Sequence, residues 1–180
     1  MQNEAKLLAQ LKLDDSKELA YKTLIKRYKE NLYWHIRKIV IYHDDADDVL
    51  QNTFIKIFKN IDKFNGDSKL YTWMYRIATN ESITFLNSKA KRNKVSNETL
   101  NESAIQNLVA DVYFEGDEIQ LKLQKAIAQL PRIQQLVFNM RYFDNIKYKD
   151  MSEILETSEG ALKASYHIAV KKIKTYLVVD

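Results

Sequence analysis

The chain has 180 residues, with no cysteine, one proline and three glycines; average usage would supply about nine prolines and about twelve glycines. Without cysteine there is no disulfide framework, thiolate nucleophile or cysteine-ligated zinc or iron–sulfur site. Gly66, Gly116 and Gly160 are isolated from one another. That excludes phosphate loops and dinucleotide fingerprints, which need two or three glycines within a few residues so that backbone amides can approach a phosphate. His35, His43 and His167 are scattered, with no His-Glu-x-x-His pair. No apolar run approaches the roughly 18 residues of a membrane span, and the start lacks the charged and then apolar pattern of a signal peptide. These absences predict a helix-rich cytoplasmic protein with no direct membrane insertion, no metal and no cofactor. The 46% of apolar residues suffices for one medium domain or two small ones.

Charge divides the chain into three blocks. Residues 1–92 carry 17 Lys/Arg against 12 Asp/Glu, residues 93–118 carry Lys94 against six acids, and residues 119–180 carry 10 against 6. The overall +4 therefore averages two basic modules and an acidic middle. In that middle block Leu100, Ile105, Leu108 and Val109 are too sparse for an amphipathic face of any length, which predicts a linker.

The flanks carry helical periodicity. From about Ser16 to Ile41 the inward stripe is Leu19, Thr23, Leu24, Tyr28, Leu32 and Ile36 or Ile39. From about Asp44 to Ile61 it is Ala46, Val49, Leu50, Phe54, Ile57, Phe58 and Ile61. A third helix is expected from about Leu70 to Leu86, with Ser68 as its cap. Beyond the linker, a helix over about Ile119 to Leu130 stops at Pro131, a residue suited to the first turn of the next helix. The stripe Ile133, Leu136, Val137, Met140 and Phe143 follows. Two helices, about Lys147 to Leu155 and Glu159 to Leu177, are separated by Glu156-Thr157-Ser158 and form a helix-turn-helix candidate. On the second, Leu162, Tyr166, Ala169, Ile173 and Leu177 fall on one side, to pack against Met151, Ile154 and Leu155. Gly160, Lys163, Ala164, His167, Lys171 and Lys174 fall on the other. That outer face starts small and ends cationic, which suits close approach to a DNA groove and then contact with phosphates.

Three segments in this order resemble a known family. They are Asp45-Ala46-Asp47-Asp48-Val49-Leu50-Gln51-Asn52-Thr53-Phe54; then Phe64-Asn65-Gly66-Asp67-Ser68 with Tyr71-Thr72-Trp73-Met74-Tyr75-Arg76-Ile77-Ala78-Thr79-Asn80; and then Leu130-Pro131, Arg141-Tyr142, Tyr148 and Ser158-Glu159-Gly160-Ala161-Leu162-Lys163. Together they resemble the extracytoplasmic-function (ECF) group of sigma factors, the promoter-recognition subunits of bacterial RNA polymerase.

The resemblance implies an all-α fold of two small helical domains joined by a flexible acidic linker: residues 10–92 (region 2), 93–118 (linker) and 119–178 (region 4). It implies that Asp47, Asp48, Gln51, Asn52, Ile55 and Lys56 dock on the clamp of core RNA polymerase. Single-stranded minus-ten DNA would be read by Asn65, Gly66, Asp67, Ser68, Lys69, Tyr71, Trp73, Tyr75, Arg76 and Asn80, a basic and aromatic mixture of the kind that binds unstacked bases. Trp73 and Met74 also suit the core. The helix from Ser158 and Glu159 through Gly160, Lys163, Ala164, His167, Lys171 and Lys174 would enter the major groove of the duplex minus-thirty-five element. The acidic linker would lie in the RNA exit channel, and an anti-sigma factor is a common further partner in the family.

The sequence departs from the family pattern in three places. Trp73-Met74 stands where housekeeping members carry paired tryptophans, which implies weaker melting. Ser165 and Ile168 stand where many members have arginines, so bidentate guanine contacts from that helix are lacking. Glu156 stands where many have a turn glycine. The residues alone also allow a helix-turn-helix regulator that acts without polymerase.

Overall fold

The computed structural model describes residues 2–106 and 118–179. Its described residues form α-helices and one short 3-10 turn, with no strand. In chain order the helices are α1 (Gln2–Leu11), α2 (Asp14–Val40), α3 (His43–Asn60), α4 (Leu70–Asn93), α5 (Asn97–Gln106), α6 (Glu118–Ala128), α7 (Arg132–Tyr142), α8 (Tyr148–Leu155) and α9 (Glu159–Val179); the 3-10 turn spans Ile61–Lys63, between α3 and α4.

The expected stripes form the core, with instructive exceptions. Leu24, Leu32 and Ile36 of α2, Ile57 of α3, and Leu70 and Met74 of α4 are all essentially inaccessible. Thr23, expected among them, is exposed. Leu19, also expected there, is 72% exposed. It sits where the helical wheel has already turned away, and Ala20 fills the inward position. Phe58, Ile133, Phe143 and Leu177 are likewise more than a third exposed, each at the margin of its stripe.

Three local expectations are corrected. Residues 2–11, assigned no element from the sequence, form α1, whose Leu7 and Leu11 are buried against the core. The acidic linker is not wholly irregular, since α5 occupies Asn97–Gln106 and buries Ile105. Ser96 starts it by accepting the Thr99 amide at 3.1 Å, which is the N-cap arrangement, so the buried Ile105, the half-buried Leu100 and a cap suffice where the stripe is short. The rest of the linker, residues 107–117, with Leu108, Val109 and Gly116, lies outside the described residues. Pro131 is the N-cap of α7 rather than its first helical residue; its carbonyl accepts the amides of Gln134 and Gln135 at 2.8 and 3.1 Å, and its missing N–H still costs nothing.

The helices fall into two groups, α1–α4 and α6–α9, and these pack on one another. Leu136, Val137 and Met140 of α7, Met151 and Ile154 of α8, and Leu162 of α9 join the same apolar cluster as α1–α4. A smaller cluster of Ala126, Ile127, Leu130, Phe138, Ala169 and Ile173 holds α6, α7 and α9 together. Burial in the shared core fixes α8 against α4, which places the helix-turn-helix beside the loop that precedes α4.

The turn between α8 and α9 explains one departure from the family pattern. Glu156 caps α8 with φ 51°, in the left-handed region that glycine enters most cheaply. A non-glycine residue holds that conformation here.

Candidate nucleic-acid interface

The first expected site is the outward face of α3. Asp47, Asp48, Gln51, Asn52, Ile55 and Lys56 are all exposed there, opposite the buried Ala46, Val49, Leu50, Thr53, Phe54 and Ile57. Lys56 pairs with Glu81 of α4, and Asp47 lies 3.4 Å from His43. Phe58, which the periodicity put in the core, stands three residues beyond Ile55; the two are 42% and 45% exposed. Tyr21 meets the Phe58 ring edge-on at 4.8 Å, and the Lys17 ammonium lies 5.6 Å from its centroid. The Tyr21 hydroxyl donates to the Phe54 carbonyl, and burial pushes its pKa up to about 12. This face thus joins acids and amides to an apolar spot, the composition of a protein-binding patch. Phe58 was missed because stripe position alone does not separate a core edge from an exposed aromatic.

The second site is the loop before α4 with the start of that helix. Asn65, Gly66 and Asp67 are exposed, as is Asn80 one face further along. Gly66 has φ 83°, so the loop tip needs a residue without Cβ. Phe64 is buried beneath it, with its ring 5.3 Å from that of the half-buried Trp73. Asn65, Asp67, Ser68, Trp73 and Arg76 line a cavity of about 340 Å³, together with Lys63, Phe64 and Glu153 of α8. Met74 is fully buried, and Tyr75 is buried with its ring 4.6 Å from that of His35; burial raises the Tyr75 hydroxyl pKa. Tyr75 therefore presents no open stacking face in this conformation.

Two cations of this surface, Lys69 and Arg76, already have anionic partners from the C-terminal group. Lys69 Nζ donates to both carboxylate oxygens of Asp150, at 2.9 and 3.2 Å, and the Tyr71 hydroxyl donates to the same carboxylate. Burial works to raise the Asp150 pKa, but the hydrogen bonds from Tyr71 and Lys69 and the charges of Lys69 and Lys147 outweigh it, so the carboxyl lies below its usual range. The Asp150 hydrogen bond in turn raises Lys69. Arg76 Nη1 is 3.7 Å from Glu156, while its Nε, closed off from solvent, has no hydrogen-bond partner among the described residues.

A second contact between the groups lies deeper. Asp144, in the segment before α8, receives Lys38 and sits 3.0 Å from His35 Nδ1. His35 Nε2 is 2.9 Å from Thr79 Oγ1, and that hydroxyl gives its single proton to the Tyr75 carbonyl at 2.8 Å. Both ring nitrogens of His35 thus have polar partners, one from each helical group. Burial again works to raise Asp144, and His35 and Lys38 outweigh it and hold the carboxyl low.

The third site is the outer face of α9. Ser158, Glu159, Gly160, Lys163, Ala164, His167, Lys171 and Lys174 are all exposed on it, while Leu162, Ala169 and Ile173 are buried on the opposite side. Ser158 Oγ accepts the Ala161 amide at 3.3 Å and so caps the helix. A Cβ at Gly160 would meet nothing within 4 Å, which leaves room for close approach by a partner. Lys163 lies 3.7 Å from Glu159 and 5.6 Å from the Tyr148 ring centroid. Among the described residues no three His, Asp or Glu side chains are grouped to hold a metal ion, and no helix is long and apolar enough to cross a membrane.

Known proteins share this arrangement. The pattern of Sigma-70 region 2 matches residues 24–92, and that of Sigma-70, region 4, matches residues 120–173. The RNA polymerase sigma-H factor of Pseudomonas aeruginosa is 27% identical over 161 residues, covering 81% of this chain and 79% of that one. The ECF RNA polymerase sigma factor SigW of Bacillus subtilis is 28% identical over 156 residues, covering 82% and 83%. Among solved structures, CnrH in complex with the cytosolic domain of CnrY superposes with a TM-score of 0.72 at 19% identity, over 98% of both chains. The sigma factor RpoE from Bartonella quintana, in complex with the anti-sigma factor NepR, gives 0.67 at 19% identity, over 89% of this chain and 98% of that one. At such identities the structures establish the shared fold.

Proposed function

We propose how this chain, which belongs to the ECF group of bacterial RNA polymerase sigma factors, divides the work of promoter recognition among its three surfaces. The protein is a sigma factor: it binds core polymerase, directs it to promoters and takes part in opening the DNA. A helix-turn-helix regulator acting without polymerase, which the residues alone allowed, is set aside by the region 2 match. The outward face of α3, with Phe58 added to Asp47, Asp48, Gln51, Asn52, Ile55 and Lys56, docks on core polymerase. The loop Asn65–Lys69 and the α4 residues Tyr71, Trp73, Arg76 and Asn80 receive the minus-ten element as a single strand. The outer face of α9 reads the minus-thirty-five duplex with Lys163 and His167, and Lys171 and Lys174 contact phosphates. The chain catalyses no reaction of its own; it works in the cytoplasm and is open to control by an anti-sigma factor.

The observation that carries the assignment is the cavity beside the Gly66 loop, rimmed by the Asn65 amide, the Asp67 carboxylate, the Ser68 hydroxyl, Trp73 and Arg76. Its groups hydrogen-bond and stack on a base drawn from the duplex, compensating for lost pairing and stacking. Glu153 lines the same cavity, and Asp150 and Glu156 engage its neighbouring cations. DNA phosphates replace those carboxylates, so α8 leaves α4 as the strand enters. Run-off transcription with purified core polymerase on genomic fragments tests the function and finds the promoters together. Discrete transcripts that require the added chain are expected; none above core polymerase alone would refute the reading.

A further inference from the structure

We propose that α1 is a positioning element for the base-capturing loop, in which Glu4 and Lys12 fix the loop's two ends and leave its tip to the DNA. The inference rests on reading Asn65–Lys69 as the minus-ten site. Glu4 and Lys12 both precede the matched region 2, which begins at residue 24.

The loop runs between two points held from outside. At its start, the Phe64 carbonyl accepts a hydrogen bond from Lys12 Nζ at 3.0 Å. At its end, the Leu70 amide donates to Glu4 Oε1 at 3.3 Å. Leu70 is the first residue of α4, and its N–H is one of the four that an α-helix cannot satisfy internally. The sequence pointed to Ser68 as the cap for that end. Instead Lys69 is the N-cap residue and makes no side-chain capping bond, while the Ser68 hydroxyl points to the Lys69 carbonyl at 3.4 Å. The cap comes from a carboxylate 66 residues upstream, which also meets the positive end of the α4 dipole.

A remote cap matters because of what this loop does. A cap supplied by Ser68 or Asp67 would compete with DNA, since the side chain that turned to a base would release the helix start. Glu4 and Lys12 lie outside the cavity, so holding the backbone and meeting a base fall to different side chains. Leu7 and Leu11 are 4% and 0% exposed and bind α1 into the core, which gives both holding groups a fixed base. A loop anchored at both ends loses less freedom when a base enters, and that saving appears as tighter and more selective capture.

The test uses holoenzyme reconstituted with full-length chain, on the strongest promoter recovered by the run-off experiment and on versions with single-base changes in either element. Glu4→Gln and Lys12→Met, alone and together, are compared with wild type. The ratio of open complexes on the intact minus-ten element to those on a substituted one is read by permanganate reactivity of the melted thymines. It is expected to fall about threefold to tenfold in the double variant, the loss of a charged cap and a second anchor. The ratio for minus-thirty-five substitutions and the affinity for core polymerase are expected to stay unchanged. An unchanged minus-ten ratio overturns the proposal, as does an equal fall at both elements, which would mean general destabilisation. Asn65→Ala and Asp67→Ala at the loop tip separate the two readings. If they too leave the minus-ten ratio unchanged, the assignment of the loop itself fails; if they lower it while Glu4→Gln and Lys12→Met do not, only the role of α1 fails.

Discussion

The two surfaces proposed to meet DNA are made of similar residue types and differ in what covers them. On α9, Lys163, His167, Lys171 and Lys174 point into solvent, and the acid paired with Lys163 is Glu159, one turn back on the same helix. On the loop and α4, Lys69, Tyr71 and Arg76 meet Asp150 and Glu156 from the other helical group. The first surface is open as it stands, whereas in the proposed reading the second becomes available by exchange. The +4 of residues 119–180 conceals this, because Asp144, Asp150, Glu153 and Glu156, four of that block's six acids, all lie against the N-terminal helices or their cavity. A block's net charge therefore does not say which face will meet DNA; the side on which its acids lie does.

The largest expected effect lies at the covered surface. Arg76→Ala and Asn80→Ala are expected to lower open-complex formation by holoenzyme tenfold or more, about 1.4 kcal/mol for each factor of ten, with core binding changed little. Permanganate footprinting and a core-binding titration separate the two quantities. Equal losses in both would remove these residues from the DNA site and erase the contrast between the surfaces.

Lys163→Ala comes next. Loss of one base-edge contact costs about 1–3 kcal/mol, so use of the minus-thirty-five element is expected to fall about tenfold while minus-ten melting on a promoter lacking that element is unaffected. If Lys163 contacts a phosphate instead, binding weakens evenly across sequences and the salt slope falls by about one. Because Lys163 is exposed and its partners among the described residues, Glu159 and Tyr148, belong to its own helical group, the effect is expected to be the same on duplex DNA with or without the loop-tip substitutions.

Much of this was legible in the sequence, and the limits have physical causes. The cores of α2, α3, α4 and α9 followed from a 3.6-residue period, because a side chain's inward or outward direction is local information. The outer face of α9 followed for the same reason, and that of α3 came with the family resemblance; each expected residue on both is exposed. Leu19 and Phe58 sit at stripe margins, where exposure depends on what packs alongside rather than on the wheel. The cap on α4 from Glu4, the pair Lys69–Asp150 and the contact His35–Asp144 join residues 66, 81 and 109 positions apart. No pattern within a single helix encodes such pairs. The short α5 stayed hidden because one cap and two apolar side chains are too few to register as a period.

Asp150→Asn tests the covering contact directly. The Asp150 side chain is 5% exposed, but that of Lys69 is 59% exposed and rehydrates when released, so the loss is expected to be about 1–2 kcal/mol rather than the larger cost of an enclosed orphan charge. Fluorescence transfer between dyes on cysteines introduced into α3 and α9, a clean labelling route in a chain that has none of its own, is expected to show the two helical groups further apart. Acid gives the same result by another path. Asp144 and Asp150 are held below their usual pKa, so the stability they contribute is present above the ordinary carboxylate value of about 4 and is lost as pH falls through their depressed values. The transfer signal is therefore expected to drop on acidification below about pH 4, and to drop less in Asp144→Asn, which has one such group fewer.

Glu156→Gln gives the smallest expected effect and sharpens the comparison most. Glu156 reaches Arg76 at 3.7 Å with 77% of its own side chain exposed, and pairs of this kind contribute about 0–1 kcal/mol. Its substitution is expected to change the transfer signal and single-strand binding by less than about twofold, while Asp150→Asn changes both by more. The two acids sit near the start and at the cap of one short helix, both engage cations of the N-terminal group, and they differ in burial and hydrogen bonding. If Glu156→Gln instead opens the chain as far as Asp150→Asn, the covering is a diffuse field that salt would screen, and the specific bonds of Lys69 and Tyr71 to Asp150 do not govern it.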